Sequence, residues 1–202
     1  MYITVASYKG GVAKTTTAVH LAAYFQGLGP TLLIDGDPNR SATAWAKRGH
    51  LPFAIADAAE GTYQARNYEH VVIDTEARPG QADLESLAKG CDLLVIPAVP
   101  STLDTDALVL TIGAVHKLAP EKYRVLLTKV PPPPEPDGDQ LRAELVKQKV
   151  PVFTAGIPRL KAFEKAVADG VAVSEINDAR ASRAWGAYEA VGKEITNGRK
   201  RK

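Results

Sequence analysis

Lys9-Gly10-Gly11-Val12-Ala13-Lys14-Thr15-Thr16 stands between a short apolar run, residues 2–6, and a long helical pattern, residues 14–26. Glycines at this point let the backbone curl so that successive N–H groups face one anion, and the start of the helix adds the positive end of its dipole. Strand, glycine turn and helix in that order make a cradle for a triphosphate. Lys14 is placed to reach the β- and γ-phosphates, and the Thr15 hydroxyl to complete the shell of a Mg²⁺ ion. The ordinary phosphate-loop pattern has glycine where this chain has Tyr8 and Ala13. In its place a second lysine, Lys9, opens the loop, giving K-G-G-x-x-K-T-T.

Further apolar runs recur downstream at residues 31–35, 70–74, 92–97, 123–128 and 152–156. Leu32-Leu33-Ile34 and Val71-Val72-Ile73 are apolar without alternation, which is what strands covered on both faces require. Helical patterns fill the gaps at residues 40–48, 81–89, 104–118, 140–149 and 179–196. Gly27, Gly29 and Pro30 stop the first helix, and Gly90 stops the third. Right-handed crossovers then give an α/β fold, a doubly wound and mostly parallel sheet with helices on both faces, whose ligand crevice lies at the carboxyl ends of the strands. Pro131-Pro132-Pro133-Pro134-Glu135-Pro136, leading into Asp137-Gly138-Asp139, is expected as a stiff extended surface loop over 131–139. It serves either as a rigid connector or as a dock for a proline-recognising module.

Three acids follow buried strands: Asp35 and Asp37 in Ile34-Asp35-Gly36-Asp37-Pro38, and Asp74 in Val72-Ile73-Asp74-Thr75. A carboxylate at the end of a buried strand is costly unless a cation or hydrogen bonds compensate it, and Mg²⁺ beside the phosphates would do so. Each Asp taken singly also fits a helix cap or a turn. Together with the lysine loop they point to metal-assisted phosphoryl chemistry.

The chain has 202 residues, 24% charged and 45% hydrophobic, the profile of one globular domain, taken as residues 1–197 with a basic tail at 198–202. No run approaches the roughly 20 apolar residues that span a bilayer, and the start lacks a signal-peptide layout, so a cytoplasmic location is expected. Cys91 is the single cysteine. One cysteine excludes an internal disulfide and any cysteine-rich metal site within one chain. From Arg159 to the end there are ten Lys or Arg against six Asp or Glu, within a chain of net charge +2. That asymmetry permits a polyanion-binding surface, and it equally fits a solvated face with a frayed tail.

These motifs resemble the ParA/MinD superfamily of deviant Walker A ATPases, and most closely the small ParA-type partition ATPases. The resemblance runs from the first strand to about Thr196. Beyond the two-lysine loop it includes Asp35-Gly36-Asp37-Pro38 with Ser41-Ala42-Thr43, Val71-Val72-Ile73-Asp74-Thr75, Ile96-Pro97-Ala98-Val99-Pro100-Ser101 with Asp104, and Ile157-Pro158-Arg159 with Gly170. The resemblance implies a P-loop nucleotide fold that binds ATP and Mg²⁺ through residues 9–16, Val12, Ala13 and Thr16 among them. Lys9 looks like the signature lysine that crosses a nucleotide-sandwich homodimer to the other subunit's phosphates. Lys14 and Thr15 would hold phosphate and metal within their own subunit. Asp37 matches the residue that positions the attacking water, and Asp35 and Asp74 would act on the metal and its waters. Asp104 is a candidate for the dimer edge. Thr128, Lys129, Ile157 and Pro158 fall where the family holds adenine. Ala13 departs from the family's usual glycine, a change the loop tolerates if Gly10 and Gly11 set the curl. Glu76 and Arg78 replace a more usual proline-containing segment.

Partition ATPases of this kind bind double-stranded DNA without sequence preference while ATP holds them dimeric, and release it when a ParB-like or other cargo adaptor stimulates hydrolysis. On that reading the protein is nucleoid-associated, and Arg159, Lys161, Lys165, Arg180 and Arg183 form the DNA surface, each of which also fits a solvated charge. The cargo is a plasmid, a chromosome or a protein organelle such as a carboxysome. The alternative is a MinD-like, ATP-gated positioning scaffold that acts without DNA, a membrane being one surface it could use. Trp185, Tyr188, Val191 and Ile195 form a helical stripe expected to pack on the sheet, and the tail has no apolar anchor, so no membrane partner is expected.

Overall fold

The computed structural model describes residues 1–77, 81–101, 108–109, 112–113, 116 and 121–199. Asp104, Arg78, most of the helix expected over 104–118 and the tail residues Lys200, Arg201 and Lys202 lie outside the described residues.

Strands β1 (Tyr2–Ser7), β2 (Thr31–Gly36), β3 (Ala54–Asp57), β4 (His70–Ala77), β5 (Leu93–Ala98) and β6 (Tyr123–Leu127) form a 6-stranded sheet in the order β3-β2-β4-β1-β5-β6. Every pairing is parallel. The expected doubly wound sheet is thus present. From β1 the chain first builds one side of the sheet through β2, β3 and β4, then crosses to the other side for β5 and β6. Such a reversal opens a crevice at the carboxyl end of the central strand, where the loop 9–16 begins.

The helices among the described residues are α1 (Lys14–Gln26), α2 (Ser41–Ala46), α3 (Ala58–Gln64), α4 (Gln81–Gly90), α5 (Asp137–Lys147), α6 (Ala162–Asp169) and α7 (Ala181–Arg199). They cover both faces, and the strand side chains alternate between them as the period of two demands. Leu33 joins Ile3, Val5, Val72 and Val95 beneath α1 and α7. Leu32 and Ile34 point the other way, with Ala56, Ala65 and Val71. On that second face Leu94, Ile96 and Leu127 meet Ala88 of α4 and Leu145 of α5. The stripe on α7 packs inward as expected: Tyr188, Val191 and Ile195 are buried in the main core. Each such side chain contributes about 1.5–3 kcal/mol by leaving water.

Residues 152–156 were expected as a strand, and the structure corrects this. They run beside β6 and touch it only through an isolated bridge, Val125 to Val152, and single hydrogen bonds such as Phe153 N–H to the Val125 carbonyl. Inside the segment the Thr154 and Ala155 N–H groups donate to the Glu194 carboxylate (3.0 and 2.8 Å) and not to a strand, so no continuous ladder forms. The sixth strand is instead β3, on the far edge. Helix α5 starts at Asp137, inside the stretch expected as loop. Helices α3 and α6 are additions to the sequence reading.

Helix α6 ends at Gly170 in the left-handed region (φ 70°). A Cβ there would collide with the backbone of Gly49, so these two glycines permit the chain after α2 to lie against the end of α6. Trp45 Nε1 of α2 donates to the Val171 carbonyl (3.1 Å) across the same contact.

Candidate functional site

The loop leaves β1 at Ser7, whose hydroxyl accepts the Lys9 N–H (3.2 Å). Gly11 takes φ 77° and Ala13 takes φ 66°, ψ 36°. The curl therefore does not rest on Gly10 and Gly11 alone, as expected from sequence. Ala13 itself is left-handed, at a cost of about 1–2 kcal/mol for a residue with a Cβ. A Cβ built on Gly10 or Gly11 would meet nothing within 4 Å, so the mouth of the cradle is open space.

Ala13 is also the N-cap of α1. It offers no side-chain acceptor, and the first turn carries no acidic residue. The first N–H groups of the helix thus face the loop without a side-chain cap, as an anion site needs. Lys14 is nearly buried, and its Nζ donates to the Lys9 carbonyl (3.3 Å) inside the loop. Burial holds its ammonium below the usual lysine range, while Asp74 and Asp37 pull it back up. Thr15 and Thr16 are half-buried on the first turn, and Val12 is buried.

The end of β6 pins the loop from below. Thr128 is fully buried, and its hydroxyl donates to the Val12 carbonyl (3.0 Å). Lys129 Nζ donates to the Gly11 carbonyl (2.7 Å). Thr128 was expected on adenine. With no exposed surface and its donor taken by the loop, it supports the cradle and does not line it. Ile157 and Pro158 do line a cleft of about 350 Å³, together with Ala13, Thr16, Phe163 and Tyr188, continuous with the start of α1.

Asp35 and Asp74 are side-by-side partners in the β2–β4 ladder, and both are fully buried. Their environments differ. Asp35 Oδ2 accepts the Thr43 N–H (2.8 Å) and hydroxyl (2.6 Å), and Oδ1 accepts the Asp37 N–H (3.3 Å). Neither oxygen of Asp74 has a hydrogen-bond partner among the described residues. Burial pushes its carboxyl up to about 7, and Asp35 adds to the shift against the pull of Thr15 and Lys14. Asp37 is half-buried, its Oδ1 held by Asn39 (3.0 and 3.1 Å) and its Oδ2 by Ser41 (3.3 Å).

A buried, orphaned carboxylate beside a nearly buried lysine and a threonine hydroxyl suits a hydrated cation that also carries phosphate oxygens. Among the described residues no group of three or more His, Cys, Asp or Glu could hold a metal unaided. This is the donor set of Mg²⁺ bound through a nucleotide, with one or two protein oxygens and several waters.

Residues 3–173 match the family described as the CobQ/CobB/MinD/ParA nucleotide binding domain, CbiA. The chain belongs to this family. It is 34% identical over 200 residues to the Maintenance of carboxysome distribution protein A of Gloeobacter kilaueensis, covering 96% of this chain and 93% of that protein. Protein ParA of Rhizobium radiobacter is 35% identical over 122 residues, 55% of this chain and 52% of that one. Among solved structures, a plasmid partition protein of Borrelia burgdorferi B31 bound to AMPPNP shares the fold at TM-score 0.73 and 18% identity, covering 98% of each chain. The MinD cell division protein of Aquifex aeolicus does so at TM-score 0.74 and 16% identity, covering 97% of each. The CobQ/CobB/MinD/ParA chain described here is therefore an ATPase of the ParA-type partition and positioning group, as its two-lysine loop implies.

The expected DNA residues, Arg159, Lys161, Lys165, Arg180 and Arg183, are all exposed. Two of them have acidic partners: Arg159 Nη2 meets Glu135 (3.1 Å), and Lys165 Nζ meets Asp178. Lys161 is the N-cap residue of α6 and Lys165 lies one turn on, while the Arg180 backbone N–H bonds the same Asp178 that Lys165 meets (2.8 Å). Arg159 and Arg183 instead line a groove beside the proline run. Among the described residues no helix is long and apolar enough to cross a membrane.

Sequence reasoning passed over Arg40 and His20, and named Thr43 only within a family motif. Arg40, left-handed at φ 52°, donates to the Asp35 carbonyl (2.9 Å) and faces Asp57 (3.7 Å). His20 is fully buried under the first turn of α1, stacked on Tyr188 at 4.8 Å. The left-handed arginine has no local signal, and an isolated histidine inside an apolar helix reads as core.

Proposed function

We propose that this chain is an ATP-dependent positioning ATPase that forms a nucleotide-sandwich homodimer and rides on nucleoid DNA. Hydrolysis stimulated by an adaptor protein then releases it from the DNA, which distributes a cargo. The observation that carries the reading is the placement of both Lys9 and Lys14 on one open loop at the start of α1. Lys14 is committed to its own cradle, its Nζ on the Lys9 carbonyl, whereas Lys9 opens the loop at its front, the position from which a lysine would serve a facing subunit. A cation that arrives only on dimerisation makes hydrolysis conditional on assembly.

On this reading ATP lies with its phosphates on residues 9–16 and its base in the cleft at Ile157 and Pro158. Thr15 contacts the Mg²⁺ ion directly and Asp74 holds its waters, with Asp35 behind, fixed by Thr43. The ion, when bound, neutralises charge on the phosphates. Asp37 orients the attacking water. DNA is held on Lys161, Lys165 and Arg180, with Arg159 and Arg183 at the edge. The relative that shares 34% identity over 96% of the chain acts in carboxysome distribution, and this favours a protein compartment over a plasmid or chromosome as cargo.

Binding to a random-sequence DNA duplex at several salt concentrations, with ATP, ADP or no nucleotide, tests the proposal when mass is measured in the same samples. ATP-selective, salt-sensitive binding that appears together with a dimer is expected, since each neutralised phosphate releases counterions. A dimer in ATP that ignores DNA at every salt concentration would overturn the DNA step and return the protein to the MinD-like scaffold.

A further inference from the structure

The proline run has a partner surface across from it. Between Pro131-Pro132 and the first turns of α7 runs a groove of about 360 Å³, floored by Leu127, Val130 and Leu160 and edged by Arg142, Arg159 and Arg183. Asp139 is the acid lining it. Arg142 is half-buried on α5, and its hydrogen bond among the described residues is a single one, to the Phe153 carbonyl. That bond aims the guanidinium and leaves most of its five N–H donors unused; among the described residues no ion pair holds it, and Asp139 is the acid that shares its groove. Arg183 is exposed and makes no ion pair among the described residues. Arg159 is paired with Glu135, which belongs to the proline run itself.

A recessed, oriented and unpaired guanidinium above an apolar floor calls for an anion on a flexible stem that also brings apolar atoms. We propose that this groove docks an acidic segment of a protein partner, in which Asp or Glu side chains reach Arg142 and Arg183 while Leu-like or aromatic neighbours cover Leu127, Val130 and Leu160. The stiff proline wall holds one side of the groove in place before binding, which lowers the ordering cost of association. Duplex DNA fits less well. Its phosphates lie on a broad convex backbone that meets protruding cations such as Lys161 and Arg180, and it has nothing to place on an apolar floor. The docking site stands whether or not the chain binds DNA.

The test uses the full chain and an array of twelve-residue peptides that interleave Asp or Glu with Leu and Phe, beside versions carrying Lys in place of the acids and versions carrying Ser. The best peptide, fluorescein-labelled, is then titrated by anisotropy against the wild type, Arg183→Glu, Arg142→Gln and Lys161→Glu/Lys165→Glu, each checked for folding by circular dichroism. Acid-dependent binding is expected, at least tenfold weaker in Arg183→Glu and Arg142→Gln and within twofold of wild type in the Lys161→Glu/Lys165→Glu protein. Random duplex DNA titrated against the same proteins should weaken most in the Lys161→Glu/Lys165→Glu protein and stay within twofold of wild type in Arg142→Gln. The proposal is overturned if no acidic peptide exceeds its Ser version, or if binding falls with Lys161 and Lys165 but not with Arg142 and Arg183. It is equally overturned if DNA binding is what Arg142→Gln abolishes. Loss of DNA binding throughout, with peptide binding intact, would count against the function proposed above and leave the groove standing.

Discussion

Thr43 gives both its backbone N–H and its hydroxyl to one oxygen of Asp35, at 2.8 and 2.6 Å. Eight residues of chain separate the two, and the bond closes the turn that carries Asp37 over the phosphate loop. Because the acceptor is a buried carboxylate, these are charge-assisted bonds. Replacing Thr43 by Val removes the hydroxyl and is expected to cost about 2 kcal/mol. For a chain of this size that lowers the melting temperature by roughly 4–8 °C. Thr43→Ser keeps both donors and should restore most of the loss in the same thermal melt.

Asp74 carries the opposite prediction. A folded carboxyl near 7, against an ordinary value of 3.8, means that the native state holds a proton the unfolded chain has released. Its penalty on folding therefore grows as pH rises from about 4 to about 7 and is full above that. Asp74→Asn should stabilise the nucleotide-free protein by roughly 1–3 kcal/mol at pH 8, the cost of a buried unsatisfied group. The same variant should weaken Mg²⁺-dependent ATP binding and abolish turnover. Urea denaturation without nucleotide, beside an ATPase assay, checks both halves, and a destabilised Asp74→Asn would show that the carboxylate is compensated in the folded protein.

His20 sets a second pH dependence. Its Nδ1 faces the Thr16 carbonyl (2.7 Å) and its Nε2 accepts the Val173 N–H (3.0 Å), so the ring is neutral when folded. Burial pushes its pKa down to about 4 from the usual 6.5. The unfolded chain then binds the extra proton between those values, and stability falls as pH drops through that window, by about 3 kcal/mol at its lower end. The difference in unfolding free energy between wild type and His20→Gln, followed from pH 7 to pH 4.5, isolates this contribution. A difference that stays constant with pH would remove His20 from the acid response.

Lys9→Ala should abolish hydrolysis while some ATP binding remains, because Lys14 and the helix start are untouched. Undiminished turnover in that variant sinks the sandwich dimer. A complementary result is expected for Asp37→Ala, which should trap an ATP-bound dimer visible by light scattering; a variant that stays monomeric in ATP and Mg²⁺ counts against the water-orienting role.

Much of the fold was legible because its central strands are buried on both faces and advertise this as unbroken apolar runs. The 31–35 and 70–74 runs lie within β2 and β4 for that reason. Ala54–Asp57 escaped because an edge strand of four residues, two of them alanine, has neither length nor alternation. Residues 152–156 misled in the other direction: their apolar pattern matches a strand, but the Thr154 and Ala155 N–H groups are taken by the carboxylate of Glu194, far along the chain, and not by a neighbouring strand. Ala13 shows a finer limit. The loop was readable as a cradle from its lysines and glycines, yet the demand for a left-handed backbone at an alanine comes from the path joining β1 to α1.

By itself the sequence determined that a strand, a two-lysine glycine loop and a helix follow one another, and hence that a phosphate cradle stands at the end of a parallel sheet. These are local facts, carried by residue type and order. Only the tertiary structure decided between Asp35 and Asp74, two aspartates on apolar strands at matching places in one ladder. One is satisfied by Thr43, and the other has no hydrogen-bond partner among the described residues. The difference lies in what each carboxylate faces across space, and partners separated along the chain leave no periodicity or composition from which to read it.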